Sequence, residues 1–364
     1  MPRSKQRRTI VGILAASAVL ACGLIAAPWA PRLSTEVSGD AALAAAVRPL
    51  LKNSADKVSV AYLDGGSVRF VGFGADDRTE FEIGSVSKTF TAALLADAVE
   101  RGEVTLETTV ADILGEDLID PDAEIGTVTL AELASHRSGL PRVGTDPASI
   151  FSLFAGSLLH RDPYAASPAE VLERAQAESV GGRGSVSYSN LGYAFLGQLL
   201  ATAAGTDYAD LVQQRIVEPL GLHDTYTPVT ADNLRPGAPT GRGAGGLGQG
   251  AWTGNGTAPA GGIRSTAADM TTYVQGLLAS TAPGSAALDP VWDTGDDGEQ
   301  VGLAWFTQVS EASPARSATW HNGQTGGYAA MVAMDRDAGR AVIILSNVAA
   351  GQEEAALTLL KEGI

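Results

Sequence analysis

Strand-forming segments sit at both ends of this chain with a long helical stretch between them, and that order restricts the fold more than any other feature. Near the start, residues 58–63 and 68–73 alternate around Asp64-Gly65-Gly66. That is a hairpin signature, because two glycines with positive φ match the twist of the flanking strands. Residues 41–51 ahead of them have helical spacing. Near the end, residues 303–309, 328–334 and 341–346 read as strands and 353–361 as a helix. Between the two sets, Thr129 to Glu132 is a capping box, and Ser167-Pro168-Ala169-Glu170 is another with Pro at the first helical position. The expected fold is α+β: an antiparallel sheet built from both chain ends and flanked by helices, with a mostly helical inserted lobe over roughly residues 100–280. Two stretches read as surface loops, the Gly-rich 236–259 and the acidic, Pro-containing 281–300.

The first 30 residues belong to a different solvent. Arg3, Lys5, Arg7 and Arg8 precede an uncharged, largely apolar run over residues 10–30, the order of charge then grease that marks an export signal or anchor. The run is long for a cleaved signal and suits a spanning helix, which needs about 20 apolar residues. Pro28 interrupts the Ala-rich junction where cleavage would fall. The stretch Val19-Leu20-Ala21-Cys22 resembles a lipoprotein box, but apolar residues continue past it. The order of preference is therefore anchor, cleaved signal, lipoprotein. Cations ahead of the run place the N-terminus inside and the body outside. Residues 1–30 are read as anchor or signal, 31–40 as a linker and 41–364 as the folded domain, at the cell membrane or secreted.

Charge and cysteine count remove several functions. A formal net charge of −16 with five lysines argues against nucleic acid, whose phosphates are held by clustered cations. Cys22 is the single cysteine and lies in the leader, so no intramolecular disulfide and no Cys/His zinc site can form. No phosphate loop and no His-Glu-x-x-His occurs. Neither cofactor nor metal is expected.

Three short segments carry chemistry. Ser85-Val86-Ser87-Lys88 runs into a helical pattern over residues 89–100. Residues three apart share a helix face, so the Ser85 hydroxyl and Lys88 amine would meet. A serine becomes a nucleophile when a base takes its proton, and a lysine can do so once burial or a positive field lowers its pKa. Ser85 would also lie at a helix N-terminus, whose N–H groups can hold an oxyanion. Alone, this segment reads better as a capping serine on a surface helix. Tyr188-Ser189-Asn190 stands just before a second helix. Tyr188 could shuttle a proton if a nearby ammonium lowers its pKa, and Asn190 could orient a substrate amide or simply cap that helix. His321-Asn322-Gly323-Gln324 leads into a strand. Its Gly323 permits close backbone approach, and the Gln324 N–H is the candidate to complete an oxyanion hole with that of Ser85. Standing alone it would be a Gly-rich turn.

In this order the three segments resemble the motifs of class C beta-lactamases, D-alanyl-D-alanine carboxypeptidases and related esterases. Residues 133–141, 219–222 and 260–266 resemble supporting stretches of that family, and the likeness runs from about Ala41 to the C-terminus. It implies a serine hydrolase working through an acyl-enzyme on Ser85, with Lys88 and Tyr188 moving protons and the choice of base left open. It further implies that Asn190, His321, Gly323 and Gln324 bind substrate, with Arg264 and Arg316 as candidates to meet a substrate carboxylate and His136 as structural. His321 stands where the lactamases usually carry Lys. That favours a carboxypeptidase-like or D-peptidase-like enzyme over a lactamase or an esterase. Substrates would be peptidoglycan-type peptides, beta-lactams or esters. The alternative from another class is a penicillin-sensing module without turnover.

Overall fold

The computed structural model describes residues 31–51, 56–309 and 317–364. The leader reading and Arg316 lie outside the described residues. Among those described, no helix is long and apolar enough to cross a membrane.

The strands run β1 (Val37–Gly39), β2 (Val58–Asp64), β3 (Ser67–Phe73), β4 (Phe81–Glu82), β5 (Arg264–Ser265), β6 (Trp292–Asp293), β7 (Glu299–Val301), β8 (Phe306–Gln308), β9 (Ala318–Gln324), β10 (Ala329–Asp335) and β11 (Arg340–Ser346). Nine of them form one antiparallel sheet in the order β1-β3-β2-β11-β10-β9-β8-β7-β6, while β4 and β5 pair separately. The chain ends meet at its centre, where β2 pairs β11 with Val60 opposite Ile344. The β2–β3 hairpin closes through Gly65 and Gly66 at φ +56 and +84.

Alternation along the central strands splits the apolar residues between two layers. Val60, Tyr62, Met331, Val342 and Ile344 face helices Ala41–Val47 and Glu353–Glu362. Ala61, Leu63, Val332, Ile343 and Leu345 face the helical lobe, in which Ser87–Glu100, Asn190–Ala204 and Ala267–Leu278 are packed. Both predicted capping boxes form, at Thr129 with Glu132 and at Ser167 with Glu170. Helix Ser87–Glu100 buries twelve of its fourteen residues, including Lys88, so it is no surface helix.

Residues 321–324, expected to lead into a strand, are themselves the end of the seven-residue strand β9, and three segments with shorter strands also differ from expectation. Within the predicted linker, Val37–Gly39 is an edge strand, and Asp40 caps the following helix by accepting the Leu43 N–H at 2.9 Å. Within 281–300 the chain forms a 3-10 turn, Ser285–Leu288, and then the strands β6 and β7. The predicted strand 303–309 shrinks to Phe306–Gln308, because Ala304 at φ +67 turns its N–H to the carbonyl of Ala134 at 3.0 Å instead of a sheet neighbour. Each of these strands is two or three residues long, too short to show a period of two.

Candidate active site

Ser85 lies in the 3-10 turn Gly84–Val86 that opens helix Ser87–Glu100. Strand β9 presses against this turn. A Cβ on Gly323 would stand 2.0 Å from the carbonyl oxygen of Ile83 and 3.0 Å from the nitrogen of Ser85. One on Gly84, itself at φ +51, would meet the nitrogen of Gln324 at 2.7 Å. Only two glycines let the nucleophile turn and the strand approach so closely. The backbone of Gln324 thus lies directly against the turn that carries Ser85. β8 pairs β9 only over Ala318–Trp320, leaving the edge from Asn322 onward open toward the cleft.

The amine of Lys88 is the centre of the arrangement. Its Nζ lies 3.1 Å from Ser85 Oγ, 2.8 Å from Asn190 Oδ1 and 2.7 Å from the carbonyl oxygen of Ala260. The residue is fully buried, and that burial, with Arg142 nearby, holds its pKa well below the usual lysine range. Tyr188 faces the same point, its ring centroid 5.0 Å from the Lys88 amine, and it is hydrogen-bonded to Ser85. The expected lowering of the Tyr188 pKa does not occur. Burial of the phenol raises it to about 12, against the opposing effects of Ser85 and Arg142.

Asn190 begins helix Asn190–Ala204, but the cap is Ser189, whose hydroxyl accepts the Gly192 N–H at 2.8 Å. That frees the Asn190 amide for Lys88. Its own N–H donates to the Arg142 carbonyl at 3.0 Å. His136 is structural as expected: fully buried at φ +59, its Nδ1 accepts the Ser189 N–H at 3.1 Å, and its ring lies 4.3 Å from that of Tyr188.

His321 departs from the substrate-binding role. Alternation along β9 points it to the nucleophile side, yet it is fully buried with its Nδ1 2.6 Å from the Asn322 oxygen. It stands behind Tyr188 and Phe306 and makes no part of the cleft wall. Burial lowers its pKa to about 3, so the ring is neutral. Gly323 and Gln324 do line the cleft. Arg264 is also withdrawn: 2% exposed, it pairs with Glu80 at 2.5 Å and Glu82 at 2.8 Å, tying β4 to β5 beneath the nucleophile.

The cleft encloses about 740 Å³ above Ser85, and residues that motif reading missed make much of its wall. Arg142 is exposed within it, its guanidinium 5.0 Å from the Tyr188 ring centre. Tyr164 packs edge-on to Trp252 with ring centres 4.9 Å apart. Asp162 accepts three backbone N–H groups, from Tyr164, Thr253 and Gly254. Arg142 directly follows the supporting stretch that ends at Pro141, and Trp252 sits in the Gly-rich segment read as a loop. Among the described residues no cluster of His, Cys, Asp or Glu could hold a metal ion.

A buried lysine thus stands one turn from a serine, facing a tyrosine and a glycine-lined strand edge. Residues 43–362 match the family described as Beta-lactamase, and the chain belongs to that family of serine hydrolases. It is 35% identical over 151 residues to penicillin-binding protein 4 of Amycolatopsis lactamdurans, covering 40% of this chain and 36% of that protein. It is 30% identical over 202 residues to the D-alanyl-D-alanine-carboxypeptidase/endopeptidase AmpH of Escherichia coli strain K12, covering 54% and 49%. The chain thus spans less than half the length of these curated relatives. The crystal structure of a beta-lactamase/D-alanine carboxypeptidase from Pseudomonas syringae has the same fold, with a TM-score of 0.74 at 19% identity over 89% of this chain and 100% of that one.

Proposed function

We propose that the chain is an extracytoplasmic hydrolase of D-amino-acid peptides, acting as a carboxypeptidase or D-peptidase through an acyl-enzyme on Ser85. The hydrogen-bonding of Lys88 carries the mechanism. The Asn190 and Ala260 oxygens are pure acceptors and take two N–H groups of the amine. In its neutral form the amine has no third, and its lone pair would then face the Ser85 hydroxyl 3.1 Å away. On this reading Lys88 is the base. As Ser85 Oγ attacks the carbonyl carbon, its proton passes to Lys88 and the oxyanion forms between the Ser85 and Gln324 N–H groups. Tyr188, still protonated, gives its proton to the leaving nitrogen and is recharged from Lys88. Water then attacks the ester by the same route reversed.

A neutral, sealed His321 leaves the β9 edge without the cation that lactamases usually carry there. This favours the peptidase reading over the lactamase and esterase readings that share the site. The extracytoplasmic location and membrane attachment rest on the cations and apolar run of the leader. Cell fractionation should recover the protein in the membrane pellet, and a soluble secreted form starting near Leu33 would refute the anchor.

Whole-protein mass spectrometry after incubation with penicillins, D-Ala-D-Ala peptides and short acyl esters tests the chemistry. Wild type should carry an adduct that turns over most rapidly with the peptides, and Ser85→Ala should carry none. Adducts that persist with every substrate class would point instead to a penicillin-sensing module without turnover.

A further inference from the structure

Helix Pro147–Leu159 has no charged residue in its thirteen positions. It leaves Ile150, Phe151, Phe154, Leu158 and Leu159 at 57–69% exposure, five of the ten exposed large apolar side chains among the described residues. Residues 150, 151, 154 and 158 recur at helical spacing on one face. The opposite face is fastened down. Ser149 and Leu153 line the cleft, the Ser152 hydroxyl donates to the Pro163 carbonyl at 2.9 Å, and Gly156 lies flat on Pro163. An apolar stripe of this extent on a well-capped helix marks a surface that something covers.

The path of the chain indicates what covers it. At the point where the described body begins, the Ser34 N–H donates to the Asp56 carbonyl at 3.0 Å. The Asp56 carboxylate pairs with Arg242 at 3.3 Å. Arg242 opens a loop whose Gly250 N–H donates to the His160 carbonyl at 2.7 Å, while Gln249 Nε2 lies 2.9 Å from His160 Nδ1. His160 is the C-cap of the apolar helix, and Leu247 of the same loop is itself exposed. One loop therefore ties the residues that follow the leader to the end of the exposed stripe.

We infer that this helix docks on the lipid bilayer that the leader enters, its apolar face in the headgroup and acyl boundary and its Ser149–Leu153 side walling the cleft. The inference rests on the anchor reading proposed above. The acidic body contributes no attraction to anionic lipid, so the contact depends on apolar insertion alone and forms on neutral phosphatidylcholine. The cleft mouth is then held at the lipid surface, where membrane-attached peptides pass.

The test uses the full chain reconstituted in phosphatidylcholine vesicles with Cys22→Ser and one nitroxide, at Phe154→Cys or at Val291→Cys. Val291 is 58% exposed and adjoins β6, at the opposite edge of the sheet from β1. Accessibility to oxygen and to an aqueous nickel chelate should place the label at 154 about 5–10 Å below the headgroups. The label at 291 should stay in water. Vesicle-bound protein whose two labels are equally open to nickel would overturn the docking and leave the anchor standing. Dipolar broadening at 154 would assign the face to a second copy of the chain and overturn the lipid. A chain that does not bind vesicles would overturn both readings.

Discussion

Lys88 has no carboxylate within its hydrogen bonds, only two carbonyl-type oxygens and the nucleophile, and that defines how activity should follow pH. Its folded pKa is lowered by burial, so kcat/KM should rise as pH climbs through that depressed value and then level off. Tyr188 stays protonated up to about 12 and adds no limb below it. Activity that kept climbing toward pH 12 would instead make the phenolate the base. Lys88→Met should lower kcat/KM by about 10² to 10⁴-fold and remove the acid limb. His321 sets a separate property, acid stability. Its pKa is near 3 folded and about 6.5 unfolded, so the unfolded chain binds the extra proton between those values. Stability from this group is complete above 6.5 and lost as pH falls toward 3, at about 1.4 kcal/mol per pH unit for one proton. Denaturant midpoints measured from pH 7 down to pH 4 should fall less steeply for His321→Gln, and an unchanged slope would mean that the ring is not buried neutral.

Between residues and fold stand two elements, the nucleophile turn and β9, and their separation is governed by Gly84 and Gly323. Gly323→Ala would drive a methyl group into the Ile83 carbonyl and force the strand back, carrying the Gln324 N–H away from the oxyanion. Acylation, followed by the appearance of the penicillin adduct, should slow by on the order of 10²-fold, the cost of one oxyanion donor. Gly245→Ala, where a Cβ meets nothing within 4 Å, should leave the rate unchanged. At this scale the sequence is legible where chemistry resides in side-chain type and spacing. Ser85 with Lys88, the two capping boxes and the Gly65-Gly66 hairpin all follow from local rules. What escapes is set by long-range contact. The Ala260 carbonyl that takes a Lys88 proton is backbone and has no residue signature. The direction of the Tyr188 shift depends on how deeply the ring is buried, which spacing does not report. His321 alternates toward the site as a period of two requires, but its exclusion from the cleft depends on Phe306, fifteen positions away on β8.

At the scale of the whole molecule, the sheet binds the two ends of the chain into one cooperative object. β2 and β3 come from the first quarter and β9, β10 and β11 from the last, yet β2 is paired on one side by β3 and on the other by β11. The nucleophile and the amine, phenol and amide groups nearest it, from Ser85, Lys88, Tyr188 and Asn190, all precede β9. A fragment ending at Leu278 would therefore contain Ser85, Lys88, Tyr188 and Asn190 as well as the helix carrying Ala260, lacking only the strand edge. It would, however, turn β2 into an edge strand whose residues 58–63 are apolar or small on both faces and fully buried in the intact protein. Such an edge recruits other chains. It would also uncover the inner face of helix Ala267–Leu278, which packs against β2 from one end of the chain and β11 from the other. The fragment should be insoluble and take no penicillin label, whereas co-expression with a second fragment that begins before β6 should restore soluble, labelled protein. A soluble fragment that acylates by itself would show that the lobe positions Ser85 without the sheet, and that joining the chain ends is not what assembles the site.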